Sequence, residues 1–363
     1  MQTKECFLVL QDGSMFPGTP FGDWRDVTGE TVFNTSMTGY QEVLTDPSYA
    51  EQFIVLTFPL VGNYGMAPDF SESAKIHAAG LVVAEACGKP THWTQTQNLD
   101  SFLREHSTPG LAGVDTRALT RHLRTQGTLP GKFVSHKTAV ADAVRELSTF
   151  HRSRDLAVQA STPTPYCAKE TGTWRVTLVD FGAKASIIRA LAALDARISV
   201  VPSTSSARDI LAQTPDALVL SNGPGDPKDC SQAIATTRAL LTHVPIFGIC
   251  LGQQILALAC GGDTYKLKFG HRGGNHPVKD LATGRTVMTA QNHGYAVSST
   301  PGSQFAVTYV NLNDNSVEGI AHRTLPAFAV QFHPESSPGP REAAHLFGKL
   351  KAMATTERGL HLA

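Results

Sequence analysis

The chain has 363 residues, 41% hydrophobic and 17% charged, enough apolar material for a buried core and too little charge for a disordered chain; ordinary domain sizes allow two domains. Its 31 Lys and Arg are balanced by 31 Asp and Glu, so the basic excess that phosphate backbones demand is missing, and no nucleic-acid partner is expected. No stretch reaches the roughly 18 apolar residues of a membrane span, and the first six residues show no charged-then-apolar leader, so a cytoplasmic chain with no membrane partner is expected.

In chain order, the first part holds many short strand-like runs, such as 6–10, 53–58 and 81–85, often broken by Gly and Pro, and then a helix at 116–125. This reads as a mixed α/β domain rich in turns, over 1–151. Residues 152–174 include Ser161-Thr162-Pro163-Thr164-Pro165 and Thr171-Gly172-Thr173 with few aliphatics, the composition of a linker. A second domain is expected over 175–355. There, apolar strands at 176–180, 198–201, 217–220 and 245–248 alternate with helices at 183–194, 207–213 and 232–242. Near-continuous apolar strands between helices predict a mainly parallel sheet covered on both faces, with its site beyond the carboxyl ends of the strands.

The last of those strands runs into Gly248-Ile249-Cys250-Leu251-Gly252-Gln253-Gln254 and then an apolar helix. A nucleophile on a strand–turn–helix elbow is exposed at the strand end, and small neighbours let the backbone bend sharply. The helix start directs free N–H groups at the thiol, which favours the thiolate. The Leu251 N–H is a candidate oxyanion donor. The other five cysteines, at 6, 87, 167, 230 and 260, form no Cys-x-x-Cys pair and read as small core residues.

Two more segments belong with this thiol. Gln331-Phe332-His333-Pro334-Glu335 follows an apolar run at 327–330, where His333 can serve as the base and Glu335 as its orienter. Ser221-Asn222-Gly223-Pro224-Gly225-Asp226-Pro227 directly follows the strand at 217–220 and reads either as a plain turn or as a backbone cradle beside the nucleophile. It lacks the Gly-Lys-Ser/Thr of a nucleotide-binding loop. No His/Cys group has metal-ligand spacing, so no zinc site is expected.

Together these motifs resemble class I glutamine amidotransferases. The first half adds Phe33-Asn34-Thr35-Ser36-Met37-Thr38-Gly39-Tyr40-Gln41-Glu42, Pro59-Leu60-Val61-Gly62-Asn63-Tyr64-Gly65 and Gly113-Val114-Asp115-Thr116-Arg117. With Gly270-His271-Arg272-Gly273-Gly274-Asn275-His276-Pro277 and Gln291-Asn292-His293-Gly294-Tyr295, these resemble the small subunit of carbamoyl-phosphate synthetase. The resemblance implies Cys250 as nucleophile, His333 as base and Glu335 as orienter, with glutamine bound by Ser36, Gly223, Gly225, Leu251, Gln254, Asn292, Gly294 and Tyr295. It implies no metal and no cofactor in this chain. ATP and Mg²⁺ would belong to a large partner subunit, which turns the ammonia, bicarbonate and ATP into carbamoyl phosphate for arginine and pyrimidine synthesis. The first domain would supply the docking surface. The family usually carries His where this chain has Gln253, and often Phe where it has Tyr295. Rival readings are another amidotransferase, which has no need of the first domain, and a silent scaffolding subunit, which would normally have lost part of the triad.

Overall fold

The computed structural model describes residues 6–136, 139–298 and 303–361. They form two compact units, Met1–Ser153 and Arg154–Ala363.

The described residues of the first unit hold nine strands: β1 Cys6–Leu10, β2 Met15–Gly22, β3 Thr28–Asn34, β4 Gln52–Leu56, β5 Leu60–Val61, β6 Gly80–Val82, β7 Glu85–Ala86, β8 Pro109–Ala112 and β9 Leu129–Val134. Seven close into a barrel in the order β1-β2-β8-β6-β4-β3-β9, and β9 pairs back onto β1. Alternate residues of each strand face opposite sides. Val32, Ile54, Leu56 and Leu81 pack with Leu44 of helix α1 (Tyr40–Thr45) and Leu103 of α2 (Leu99–Glu105). Phe53 and Phe133 meet on the other face, ring centroids 4.4 Å apart. Gly80 leaves them room, since a Cβ there would lie 2.9 Å from the Phe133 ring. Helix α3 (Thr116–Gln126) matches the expected one, capped by Asp115, whose carboxylate accepts the Ala118 N–H at 2.8 Å.

The second unit holds β10 Tyr166–Lys169, β11 Trp174–Asp180, β12 Ala196–Pro202, β13 Ala217–Leu220, β14 Ile246–Ile249, β15 Asp263–Asp280, β16 Thr286–Ser298, β17 Phe305–Asn311, β18 Val317–His322 and β19 Ala327–Val330. They form one sheet in the order β10-β12-β11-β13-β14-β19-β18-β16-β15-β17. The five strands β12-β11-β13-β14-β19 are mutually parallel. Antiparallel strands extend this centre on both sides. The remaining helices are α4 Val140–Leu147 in the first unit, then α5 Leu156–Ala160, α6 Ala185–Ala193, α7 Ala207–Ala212, α8 Ser231–Leu240, α9 Leu251–Ala259 and α10 His345–His361. Each face of the parallel centre has its own core. Val179, Leu218, Leu220 and Ile246 pack with Leu240 of α8 and Ile255 and Leu256 of α9. Leu178, Val219, Phe247 and Ile249 pack with Ile187 and Leu191 of α6 and Leu346 and Leu350 of α10.

The expectation of a linker at 152–174 is corrected in one respect. From Arg154 the chain already belongs to the second unit, with α5 and the edge strand β10 inside the supposed linker. Leu156 and Ala157 of α5 are buried. β10 runs antiparallel to β12 with its side chains largely exposed. An edge strand held by its backbone needs few apolar residues, so its composition is that of a turn segment.

Candidate active site

The carboxyl ends of the central strands meet one rim: Asp180 ends β11, and Ser221, Cys250 and Gln331 directly follow β13, β14 and β19. Cys250 sits between β14 and α9 at φ 55°, ψ −104°, a conformation costly for any residue with a Cβ. The chain on either side over-determines it. The Cys250 N–H donates to the Val330 carbonyl at 2.9 Å, and its carbonyl accepts from the N–H of Gln253 at 3.0 Å and of Gln254 at 3.3 Å.

The two glycines of Gly-x-Cys-x-Gly let strand, turn and helix cross this tightly. A Cβ on Gly248 would lie 2.5 Å from the Gly252 carbonyl oxygen, and one on Gly252 would lie 2.2 Å from that of Leu220. The Gly252 N–H instead donates to the Ser221 carbonyl at 3.0 Å, tying α9 to the loop after β13. Leu251 occupies the first position of α9, where an N–H has no intrahelical partner and can donate to an oxyanion.

His333 follows β19 and bridges to Ala290 of β16, its N–H donating to that carbonyl at 2.9 Å. Its Nδ1 donates to Glu335 Oε1 at 2.6 Å. Lys184, the cap of α6, donates to the same Oε1 at 3.0 Å and to the Ser336 carbonyl at 2.6 Å. All three side chains are buried, with Lys184 4% and Glu335 0% exposed. Burial disfavours the imidazolium, but the adjacent Glu335 carboxylate outweighs it, with the Cys250 side chain adding to the same effect, and His333 is pushed up to about 10. Burial likewise disfavours the Glu335 carboxylate, but Lys184 and His333 hold it down to about 2. With Nδ1 on Glu335, His333 Nε2 is the nitrogen left to exchange a proton with the Cys250 sulfur.

The Cys250 Sγ lies 3.6 Å from the Asn292 carbonyl oxygen on β16. Gln254, on the first turn of α9, donates its amide protons to the Tyr295 carbonyl at 2.9 Å and to Gln331 Oε1 at 3.0 Å. Its own carbonyl oxygen is therefore the group it can offer a substrate. Gly223 packs against Leu251 and Phe181 so closely that a Cβ would lie 2.3 Å from the Phe181 carbonyl oxygen. Cys250, His333, Glu335, Leu251, Gln254, Asn292, Tyr295 and Gly223 thus come together on one rim, and Gly294 lies between Asn292 and Tyr295 on β16. Gly225 has φ 98°, and a Cβ there would lie 3.6 Å from Leu156 Cβ. Ser36 belongs to the first unit, in the loop after β3, where its N–H donates to Asn34 Oδ1 at 2.7 Å.

Residues 8–133 match the family described as carbamoyl-phosphate synthase small chain, CPSase domain, and residues 177–353 match glutamine amidotransferase class-I. The carbamoyl phosphate synthase pyrimidine-specific small chain of Bacillus subtilis is 48% identical over 97% of this chain and 96% of its own. The chain belongs to the carbamoyl-phosphate synthase small-chain family. Other relatives also carry the small-chain name. That of Oceanobacillus iheyensis is 50% identical over 95% of this chain and 94% of its own, and that of Syntrophotalea carbinolica 45% identical over 98% and 99%.

Within this small-chain fold, Lys184 was not singled out from the sequence. Its position could have signalled it, because it lies four residues after Asp180 at the carboxyl end of a predicted parallel strand, the rim where sites form. Ser221 was read only as part of a loop. Its Oγ accepts the Phe181 N–H at 2.9 Å and donates to the Asn222 carbonyl at 2.7 Å, while Asn222 Oδ1 accepts the Lys184 N–H at 3.1 Å. These bonds fix Lys184 for its contact with Glu335. Gln253 is fully buried behind the elbow, with its amide nitrogen 3.5 Å from the Val317 carbonyl and its Oε1 without a partner among the described residues.

Proposed function

We propose that this chain is the glutaminase subunit of a carbamoyl-phosphate synthase and that Cys250 is its nucleophile. The observation that carries this is the buried chain Lys184–Glu335–His333 converging on a strained thiol at a helix start. Cys250 Sγ attacks the side-chain carbonyl carbon of glutamine, and its proton passes to His333 Nε2. The Leu251 N–H takes the tetrahedral oxyanion. As the C–N bond breaks, His333 returns the proton to the leaving ammonia. His333 then activates the water that cleaves the γ-glutamyl thioester to glutamate. Glu335 keeps the imidazole in its working tautomer throughout. Gln254, Asn292, Gly294 and Tyr295, with the backbone of Gly223 and Gly225, hold the amino-acid substrate.

The ammonia goes to a large partner chain that holds bicarbonate, ATP and Mg²⁺, and this chain contributes no cofactor to that step. The first unit supplies docking surface for the partner, and the assembly works in the cytoplasm. The test is co-purification of the chain with its large partner, followed by carbamoyl-phosphate formation from glutamine or from ammonia. Wild-type complex uses both. The Cys250→Ser complex uses only ammonia; a Cys250→Ser complex that still uses glutamine overturns the assignment.

A further inference from the structure

Beneath the strand that carries Asn292 and Gly294, four buried side chains face one another that the proposed triad does not use. His271 on β15, Gln291 and His293 on β16, and Glu318 on β18 are between 0 and 6% exposed. One ring nitrogen of each histidine and one carboxylate oxygen of Glu318 lie within 4.8 Å of one another. Gln291 Oε1 lies 3.2 Å from His271 Nδ1 and 2.6 Å from His293 Nε2, and Glu318 Oε1 lies 3.5 Å from His271 Nδ1. Bonds of about 2.0–2.2 Å to a tetrahedral zinc ion set ligand-to-ligand edges of about 3.3–3.6 Å, which the 3.2 and 3.5 Å separations match, whereas the 2.6 Å one between Gln291 Oε1 and His293 Nε2 has to open by about 1 Å to admit the ion.

The outer ring nitrogens are tethered as metal ligands require: His271 Nε2 bonds Asp314 Oδ2 at 2.9 Å, and His293 Nδ1 donates to the Tyr295 carbonyl at 2.8 Å. Asn311 donates to Glu318 Oε1, the oxygen that faces His271, at 2.9 Å. Such bonds fix the tautomer and turn the other ring nitrogen inward as a bare lone pair. With its Nδ1 proton committed to Tyr295, His293 Nε2 is an acceptor facing the Gln291 oxygen, an arrangement that a cation between them relieves. Glu318 Oε2 is buried and has no hydrogen-bond partner among the described residues.

We propose that His271 Nδ1, His293 Nε2, the Glu318 carboxylate and Gln291 Oε1 bind one divalent transition-metal ion, best matched by zinc. Two imidazoles and a carboxylate select zinc over the oxygen-loving magnesium. The ion is structural, joining β15, β16 and β18 behind the strand bearing Asn292 and Gly294. Sequence spacing hides the site because its ligands come from three strands, at 271, 291, 293 and 318. The alternative is an ion-free cluster. There, burial opposes an imidazolium at His271, but hydrogen bonds and charge from Asp314 and Glu318 outweigh it and push the group up to about 9.

The test uses the untagged full chain in a Cys250→Ser, Cys167→Ser background, which removes the thiol of the elbow and an exposed one. After treatment with a chelator the protein is titrated with zinc chloride, and bound metal is counted by elemental analysis after dialysis. The expected result is one equivalent bound at submicromolar concentration. Glu318→Gln and His293→Gln should each weaken it by about 100-fold, with the circular dichroism of the folded chain retained. No uptake by the parent protein, or uptake unchanged in a folded Glu318→Gln variant, overturns the proposal. Should both variants fail to fold, Co²⁺ added to the parent protein decides: strong visible absorption of a tetrahedral nitrogen–oxygen site supports the proposal, and its absence overturns it.

Discussion

Replacing Glu335 by Gln separates charge from orientation in the triad. His333 Nδ1 and Lys184 Nζ both bond Oε1, while Oε2 takes no hydrogen bond from another residue. A Gln carbonyl at the Oε1 position therefore keeps both hydrogen bonds, and its amide group takes the place of Oε2. The negative charge is lost, and two amide protons enter a buried position where Oε2 accepts from no other described residue. The rise of His333 from 6.5 to about 10 corresponds to about 5 kcal/mol of preference for the imidazolium. Without the carboxylate, burial and the Lys184 cation both act against that charge. The imidazolium is the form that holds the thiol proton and gives it to the leaving ammonia, so losing half to all of the preference slows glutamine hydrolysis by about two to four powers of ten. The assay is glutamine hydrolysis by the complex with the large chain across pH, with ammonia-dependent synthesis as the control for intact assembly. The expected result is that collapse of glutaminase kcat with ammonia-dependent synthesis unchanged. A Glu335→Gln enzyme within threefold of wild type, with the same pH profile, would refute the role given to this charge.

Gly252→Ala places a methyl group 2.2 Å from the Leu220 carbonyl oxygen, and the overpacking should cost about 1–3 kcal/mol of stability and displace the elbow; an unchanged denaturation midpoint with full glutaminase activity would contradict the tight crossing. The triad also makes stability depend on pH. The contribution of His333, with its folded value near 10 above the usual 6.5, is full below 6.5 and fades as pH rises through 10, whereas that of Glu335, near 2 against 4.5, is full above 4.5 and fades as pH falls through 2. The melting-temperature gap between wild type and Glu335→Gln should therefore be widest between pH 4.5 and 6.5, and a gap independent of pH would argue against the buried pair. Gln253→Leu removes a buried oxygen that has no partner, so stability should hold or rise by up to about 1 kcal/mol with kcat within threefold; a large loss of kcat would show that Gln253 serves the reaction.

What the sequence made legible was local or strictly periodic. The elbow around Cys250 is one strand, one turn and one helix, and its two glycines mark a crossing that no side chain fits. The parallel strands stood out because their residues are apolar on both faces. Barrel closure in the first unit did not, because β1 pairs with β9 across more than a hundred residues. Residues 156–169 were hidden for a different reason, since a short helix and an edge strand require little apolar sequence. Lys184 and Glu335 are 151 positions apart, and only the rim of the sheet unites them. The cluster of His271, His293 and Glu318 is likewise a product of register, with His271 directly opposite His293 on neighbouring strands.

The central claim is covalent chemistry at Cys250, and the direct measurement is acid quenching of the complex during turnover with radiolabelled glutamine, followed by digestion and mapping of the label. A γ-glutamyl label on the peptide containing Cys250, absent from Cys250→Ser, is the predicted result. Label on another residue, or turnover with no label trapped at any quench time, would contradict it.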